Sequence, residues 1–365
     1  MNCAKSGKLS RTCELNAMRL IKTLVVDDSA FVRKVIREIL SGNPFIEIVG
    51  FAKNGNEALE MVETLKPDVV TCDLNMPESS GVDFVKKQFA RRPLPIIILT
   101  ASPQDTEHAV EALEAGAIDF VQKPTALATD ALRLIREELI EKVKSAAGAS
   151  FKGISLVRPT AVPGIKSLPK ARRANLKVDI VVLGISTGGP QALRYLVPQF
   201  DQDFPVPLVI VLHMPMGYTA PFAEKLAEIS RLAVKEAYEG CPVLPRQALL
   251  APAGRHLSFQ RDSSGQVKVR LSHKPAGKPH KPSVDVMFQS AAEIYGQRVL
   301  GVVMTGMGND GTEGAAWIKA RGGMILTESE ESCIIYGMPR CVVESGLSDG
   351  AVALPSMAAE INNRL

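Results

Sequence analysis

The strongest constraint in this sequence is a recurring pattern. Short, continuous apolar runs each end in polar or glycine-rich residues, and stretches of helical spacing separate them. In the first half the runs are Ile21–Val26, Ile46–Phe51, Val69–Cys72, Ile96–Leu99 and Ala117–Val121. They are mostly apolar throughout rather than alternating, as strands buried on both faces must be. Between two of them, Ala58, Met61, Val62 and Leu65 recur at the spacing of one helix face. A parallel sheet covered by helices on both sides buries both patterns at once, so residues 21–143 are expected to form a doubly wound α/β domain. A second series, Ile180–Ile185, Leu208–Leu212, Ala248–Ala251, Val299–Met304 and Met324–Thr327, predicts another α/β domain over residues 178–365.

Charge separates these domains from the rest. Residues 21–143 hold 14 bases and 20 acids, and residues 178–365 hold 17 and 18, so neither domain has the basic balance of a nucleic-acid binder. The excess base lies in residues 1–20, with four bases and one acid, and in 144–177, with eight bases and no acid. The latter segment contains Pro159, Pro163, Gly164 and Pro169 without periodicity and reads as a flexible linker; the former reads as a disordered extension. The six cysteines, at 3, 13, 72, 241, 333 and 341, form no C-x-x-C pair, which suits a reduced, cytoplasmic protein rather than a disulfide or zinc framework. No apolar run reaches the ~18 residues of a membrane span, and the first twenty residues lack the apolar core of a secretory signal.

Ligands of doubly wound sheets gather beyond the carboxyl ends of the strands. Asp27 and Asp28 end the first run and Asp73 follows the third. Three crowded carboxylates repel unless a cation neutralises them, and hard oxygen ligands suit Mg²⁺. Thr100 ends the fourth run and Lys123 follows the fifth, adding a hydroxyl and an ammonium. This set suits phosphoryl transfer to a carboxylate. Any one of the acids alone reads as a solvated strand end; five such groups at strand ends do not.

Val25-Val26-Asp27-Asp28-Ser29, Asp73 with Met76-Pro77 and Gly81 beyond it, Thr100-Ala101 and Lys123-Pro124 resemble the response-regulator receiver domains over essentially all of residues 20–143. The resemblance implies a flavodoxin-like sheet with Asp73 as phosphoacceptor. It implies Mg²⁺ on Asp27, Asp28 and Asp73, phosphoryl contacts from Thr100 and Lys123, and Phe120 as an aromatic switch. Met18 begins the segment with which such domains open.

In the second domain Gly184-Ile185-Ser186-Thr187-Gly188 fits G-x-S-x-G, a serine on a tight strand-to-helix turn near unpaired helix amides. The alternative is that Ser186 caps the following helix. A nucleophilic serine needs a base. Among the histidines at 108, 213, 256, 273 and 280, His213 ends the next strand run and is expected beside Ser186; His256 is the competitor. A carboxylate should orient the imidazole. Asp310 lies in Thr305-Gly306-Met307-Gly308-Asn309-Asp310-Gly311, after another strand run. The order Ser, His, Asp is not that of α/β-hydrolases. The same loop also satisfies G-x-G-x-x-G, and Glu328 lies 17 residues past Gly311, as in a dinucleotide fingerprint. Against that reading, Asp310 sets a negative charge where pyrophosphate must sit, and only 54 residues follow Gly311.

Ser186-Thr187-Gly188-Gly189-Pro190, Leu212-His213-Met214-Pro215, Pro282-Ser283-Val284-Asp285, the Thr305–Gly311 loop and Tyr336-Gly337-Met338-Pro339 resemble the catalytic domain of the chemotaxis protein-glutamate methylesterases over residues 178–355. A receiver joined by a linker is that family's architecture. The resemblance implies a Rossmann-like methylesterase domain with Ser186 as nucleophile, His213 as base, Asp310 as its orienter and the Met307 amide as an oxyanion donor. It implies no cofactor in that domain. The implied function is a phosphorylation-regulated serine hydrolase that demethylates glutamyl methyl esters on methylated chemoreceptors, releases methanol and deamidates receptor glutamines. A chemotaxis histidine kinase is the implied phosphodonor, and neither nucleic acid nor membrane insertion is expected. The reading from another class is a non-enzymatic response regulator whose second half binds a protein or nucleic acid; the near-neutral second domain, with no basic stripe, weighs against nucleic acid.

Overall fold

A computed structural model describes residues 19–100, 105–123, 129–149, 151 and 178–365. The expected N-terminal extension up to residue 18 and nearly all of the expected linker lie outside the described residues.

The first domain alternates β1 (Ile21–Val26), α1 (Ala30–Ser41), β2 (Ile46–Ala52), α2 (Gly55–Leu65), β3 (Val69–Asp73), α3 (Gly81–Arg91), β4 (Ile96–Thr100), α4 (Thr106–Ala115), β5 (Asp119–Gln122) and α5 (Thr129–Ala147). Its sheet is parallel, in the order β2-β1-β3-β4-β5. That is the flavodoxin-like order, whose switch point lies between β1 and β3. Ser29, Asn54 and Ser80 start α1, α2 and α3 by accepting the amides of Val32, Glu57 and Asp83. Helix α5 passes the expected boundary at Val143 and runs to Ala147. Leu139, Val143 and Ala146 continue one buried face, and no residue breaks the helix before Gly148.

The second domain comprises β6 (Ile180–Ile185), α6 (Gly189–Leu196), β7 (Leu208–Leu212), α7 (Thr219–Glu228), β8 (Ala233–Glu236), β9 (Gln247–Leu250), β10 (His256–Arg261), β11 (Val267–Ser272), α8 (Val284–Tyr295), β12 (Val299–Val303), α9 (Thr312–Ala320), β13 (Met324–Glu328), α10 (Met338–Glu344), β14 (Gly350–Val352) and α11 (Leu354–Arg364). Seven strands form a parallel sheet in the order β14-β13-β12-β6-β7-β9-β8. The chain winds outward from β6 in one direction and returns through β12 on the other side, so the switch point lies between β6 and β12. The edge strands β8 and β14 and the antiparallel hairpin β10–β11 are additions to the expected strands. Ala233–Glu236 carries two charged residues in four, and the hairpin alternates rather than running apolar, so neither has the signature of a strand covered on both faces.

The domains are packed together. The Gly188 amide donates to Ile118 O at 3.0 Å, Arg194 pairs with Glu114, and Gln191 donates to Ala117 O. No helix among the described residues is long and apolar enough to cross a membrane.

Candidate active site

At the first sheet's switch point, Lys123 Nζ lies 2.6 Å from Asp27 Oδ2 and 2.9 Å from Asp73 Oδ2. Burial, and the Asp27 charge behind it, push the Asp73 carboxyl above its ordinary range despite Lys123. Burial works against the Lys123 ammonium, but Asp73 and Asp27 keep it firmly protonated. Ligand oxygens of Asp27, Asp28 and Asp73 all lie within 4.8 Å of one another, with Asp28 exposed. Three hard oxygen donors with one side open to water fit Mg²⁺. The close approach depends on Gly81, where a Cβ would come within 2.0 Å of Asp73 O.

The second sheet brings three further expected residues to its own switch point. Ser186 follows β6, His213 follows β7 and Asp310 follows β12. The His213 amide donates to Ile185 O at 3.2 Å, tying the ends of β7 and β6 together. Ser186 N donates to Thr305 O at 3.0 Å, which fastens the serine turn to the loop carrying Asp310. Only glycine fits at 306, since a Cβ there would lie 2.8 Å from Ser186 Cβ. Gly188, at φ +79°, is the N-cap of α6 and no side chain caps that helix. The alternative reading of Ser186 as a helix cap is therefore overturned: the left-handed turn at glycine starts the helix two residues later and leaves the hydroxyl uncommitted.

His213 Nε2 lies 2.9 Å from Asp310 Oδ2, while its buried Nδ1 has no partner. Ser186, His213, Met214 and Met307 line one cleft of about 810 Å³, so the imidazole and the serine share one space. Asp310 also accepts from Ser283 Oγ at 2.9 Å, Val284 N at 2.8 Å and Asp285 N at 3.0 Å. Burial works to raise its carboxyl, yet His213 and these amides at the start of α8 hold it far below the ordinary range. It is a fixed anion beside the imidazole. His256, the competing base, is buried with Nε2 3.1 Å from Pro275 O, and burial disfavours its charged form. It has no part in the pair with Asp310.

Two features had no role assigned from the sequence. Asp285 Oδ1 accepts the amides of Gly311 and Gly314, at 2.9 and 2.8 Å, pinning the glycine loop. The Pro282-Ser283-Val284-Asp285 motif was the visible signal for it. His280 stacks on His213 with ring centroids 4.1 Å apart, from a loop whose Lys/Pro/Gly composition carries no such signal. The dinucleotide reading is overturned by the same bonds. Asp285 occupies amides at the start of α9 that a pyrophosphate would need, and Glu328 is fully buried, bonded to Thr305 N and Ser332 Oγ.

The first domain closes the cleft. Gln122, Lys123, Glu138 and Lys142 line it opposite Ser186. Asp119 accepts the Thr187 hydroxyl at 2.5 Å and Lys142 Nζ at 2.9 Å, so the residue after the serine is tied directly to the receiver-like domain.

An acid pocket of this kind packed over a Ser/His/Asp cleft defines a response regulator with a hydrolase output domain. The family model for CheB methylesterase matches residues 181–361, and that for the response regulator receiver domain matches 23–134. The chain is 45% identical over 341 residues to protein-glutamate methylesterase/protein-glutamine glutaminase 5 of Myxococcus xanthus, covering 93% of this chain and 96% of the relative. It is 40% identical to the protein of that name from Halalkalibacterium halodurans, over 93% and 97%. The crystal structure of the Thermotoga maritima CheB methylesterase catalytic domain superposes with TM-score 0.50 at 37% identity, covering 52% of this chain and 99% of that one. The chain belongs to the CheB family of protein-glutamate methylesterases/protein-glutamine glutaminases.

Proposed function

We propose that this protein is a phosphorylation-regulated methylesterase of chemosensory adaptation, acting in the cytoplasm on the γ-glutamyl methyl esters of chemoreceptors. The observation that carries the reading is the His213–Asp310 pair, which shares a cleft with Ser186 and leaves Nδ1 unpartnered. With Nε2–H donating to Asp310, Nδ1 carries the lone pair and takes the Ser186 proton as Oγ attacks the ester carbonyl. The fixed Asp310 anion stabilises the imidazolium that forms. His213 returns the proton to the departing methoxide, methanol leaves, and water, deprotonated by the same imidazole, hydrolyses the acyl-enzyme to glutamate. The Met307 amide beside the serine and the start of α6 are the candidate donors to the oxyanion. The same steps on a glutamine side chain expel ammonia.

Asp73 is the phosphoacceptor in this reading, with a chemotaxis histidine kinase as donor. Asp27, Asp28 and Asp73 would hold Mg²⁺, which when bound would supply positive charge to offset that of a phosphoryl group. Lys123 and Thr100 then face its oxygens. The receiver restrains the esterase until that event, because its α5 and β5 wall the cleft. The test is methanol release from methylated receptor membranes. It should depend on Ser186 and rise with Mg²⁺ and a small phosphodonor; release that survives Ser186→Ala would end the serine-hydrolase reading.

A further inference from the structure

Ser186 N is held by Thr305 O at 3.0 Å, and Thr305 N is held in turn by Glu328 Oε2 at 2.9 Å. Thr305 also donates its hydroxyl to Thr187 O at 3.0 Å and accepts Ile335 N at 2.9 Å. One threonine thus fastens both residues of the serine turn, and the carboxylate at the end of β13 fastens the threonine. The other carboxylate oxygen accepts from Ser332 Oγ at 3.0 Å, and that serine also accepts Leu354 N at 2.9 Å. Glu328 has no exposed surface. It touches neither His213 nor Asp310 among the described bonds, so the mechanism above makes no use of this buried acid.

We infer that Glu328 is a positioning residue for the nucleophile, acting through Thr305 to hold the Ser186 turn in the geometry of attack. The inference rests on Ser186 being that nucleophile. A buried carboxylate is costly to keep unless it does something an apolar side chain cannot. Here it supplies a fixed acceptor for the backbone at the start of the glycine-rich loop, at the residue that holds the serine turn, whereas Asp285 pins the loop at its far end. Small displacements of reacting groups carry large rate penalties.

The carboxyl is poised to change the strength of that hold. Burial pushes it up to about 7, against the bonds from Thr305, Ser332 and Cys333. No charged side chain of β12, α11 or the Ser329–Cys333 turn bonds to it among the described residues. Its titratable neighbour is the Cys333 thiol, which burial and Glu328 keep protonated, with exposed Glu330 acting on that thiol from farther out. Protonated, Glu328 donates to Ser332, whose hydroxyl then donates its hydrogen bond to Ser329 O; ionised, it accepts from both partners and its bond to Thr305 N becomes charge-assisted.

The experiment measures p-nitrophenyl acetate hydrolysis by the full-length protein, with Ser186→Ala as control. Hydrolysis that persists in the control overturns the nucleophile reading, whatever Glu328 does. Glu328→Leu removes the acceptor; the expected result is a fall in kcat of about tenfold or more with KM nearly unchanged. Glu328→Gln keeps an acceptor for Thr305 N and should restore most of kcat at about pH 6. The ratio of wild-type to Gln kcat cancels every titration common to the two proteins, and it should rise between about pH 6 and 8.5 as Glu328 ionises. A folded Leu variant with wild-type kcat, or a ratio that is flat or falling with pH, overturns the inference. Should the Leu variant not fold, the Gln ratio decides.

Discussion

Thr100 at the end of β4 and Tyr218, the residue before α7, share a hydrogen bond of 3.0 Å across the domain interface. The Phe120 ring packs against the same tyrosine at 4.6 Å. In the proposed function, both receiver residues expected to respond to a phosphoryl group on Asp73 are therefore engaged by one side chain of the second domain. Under that proposal, drawing Thr100 toward the phosphoryl oxygens would take it from Tyr218 and free space for Phe120, so that a local charge change would bias a two-state interface.

Tyr218→Phe keeps the ring and deletes the hydroxyl. A buried hydrogen bond contributes ~1 kcal/mol, a factor of roughly five in the balance between closed and open states. Unphosphorylated esterase activity should rise several-fold, and the phosphorylated enzyme should change little. A folded variant with unchanged or lower basal activity means the hydroxyl does not latch the receiver.

Ser186→Ala should abolish ester hydrolysis, by ~10⁴-fold or more, with the melting temperature of the protein nearly unchanged. The hydroxyl caps no helix, since α6 starts at Gly188 without a side-chain cap, so even the ~1 kcal/mol cost of losing a cap does not apply. Turnover and calorimetry on the same sample separate chemistry from folding.

His213→Ala should be as damaging as Ser186→Ala, and the double variant little worse than either, because residues acting as one chemical unit are non-additive. His256→Ala should leave kcat near wild type, its cost falling on stability through the lost bond to Pro275. The reverse pattern, a silent His256→Ala and an active His213→Ala, would identify the other histidine as the base.

The parts of the site that were legible in the sequence are those where chemistry sits at the end of a strand. Asp27, Asp73, Thr100, Ser186 and His213 each follow or close a continuous apolar run, and parallel-sheet topology sends all such ends to one edge. Long-range contacts left no periodic trace. The Thr100–Tyr218 bond joins residues 118 apart and Thr187–Asp119 joins residues 68 apart, and in each the partner, Tyr218 or Asp119, carries no signal in its own segment. Asp285 was visible only as part of a motif, because the amides that donate to it belong to a loop that folds back 26 residues later. Helix α5 runs past the expected domain boundary because Ala is a strong helix former, although Lys-Ser-Ala-Ala shares its small and basic residues with the segment that follows.

Removing the receiver should release activity. Gln122, Lys142 and α5 wall the cleft, and an isolated catalytic domain of a 37%-identical relative has been crystallised, so the 178–365 segment is expected to fold alone. That fragment should hydrolyse ester without phosphodonor, whereas full-length Asp73→Asn should stay at the basal rate and ignore phosphodonor. A folded fragment no more active than the unphosphorylated whole chain would sink the restraint reading.

Glu328 also makes a prediction about stability. Its carboxyl is raised from 4.5 to about 7 in the folded protein because burial disfavours the charge. Between those values the folded state binds a proton that the unfolded state has lost. Stability from this group is therefore fully present below about pH 4.5, is lost as pH rises toward 7, and falls no further beyond it. At ~1.4 kcal/mol per unit the loss is ~3 kcal/mol. Ionisation strengthens the single bond to Thr305 N while the surrounding apolar volume is charged for it, and the second effect is the larger. Glu328→Gln titrates nothing here, so its stability relative to wild type should climb across this range and then level off. Calorimetric melting of both proteins at about pH 5, 6, 7 and 8 reads the difference directly, with every other titrating group common to the pair. A difference that does not change with pH would show that Glu328 has the same affinity for protons folded and unfolded.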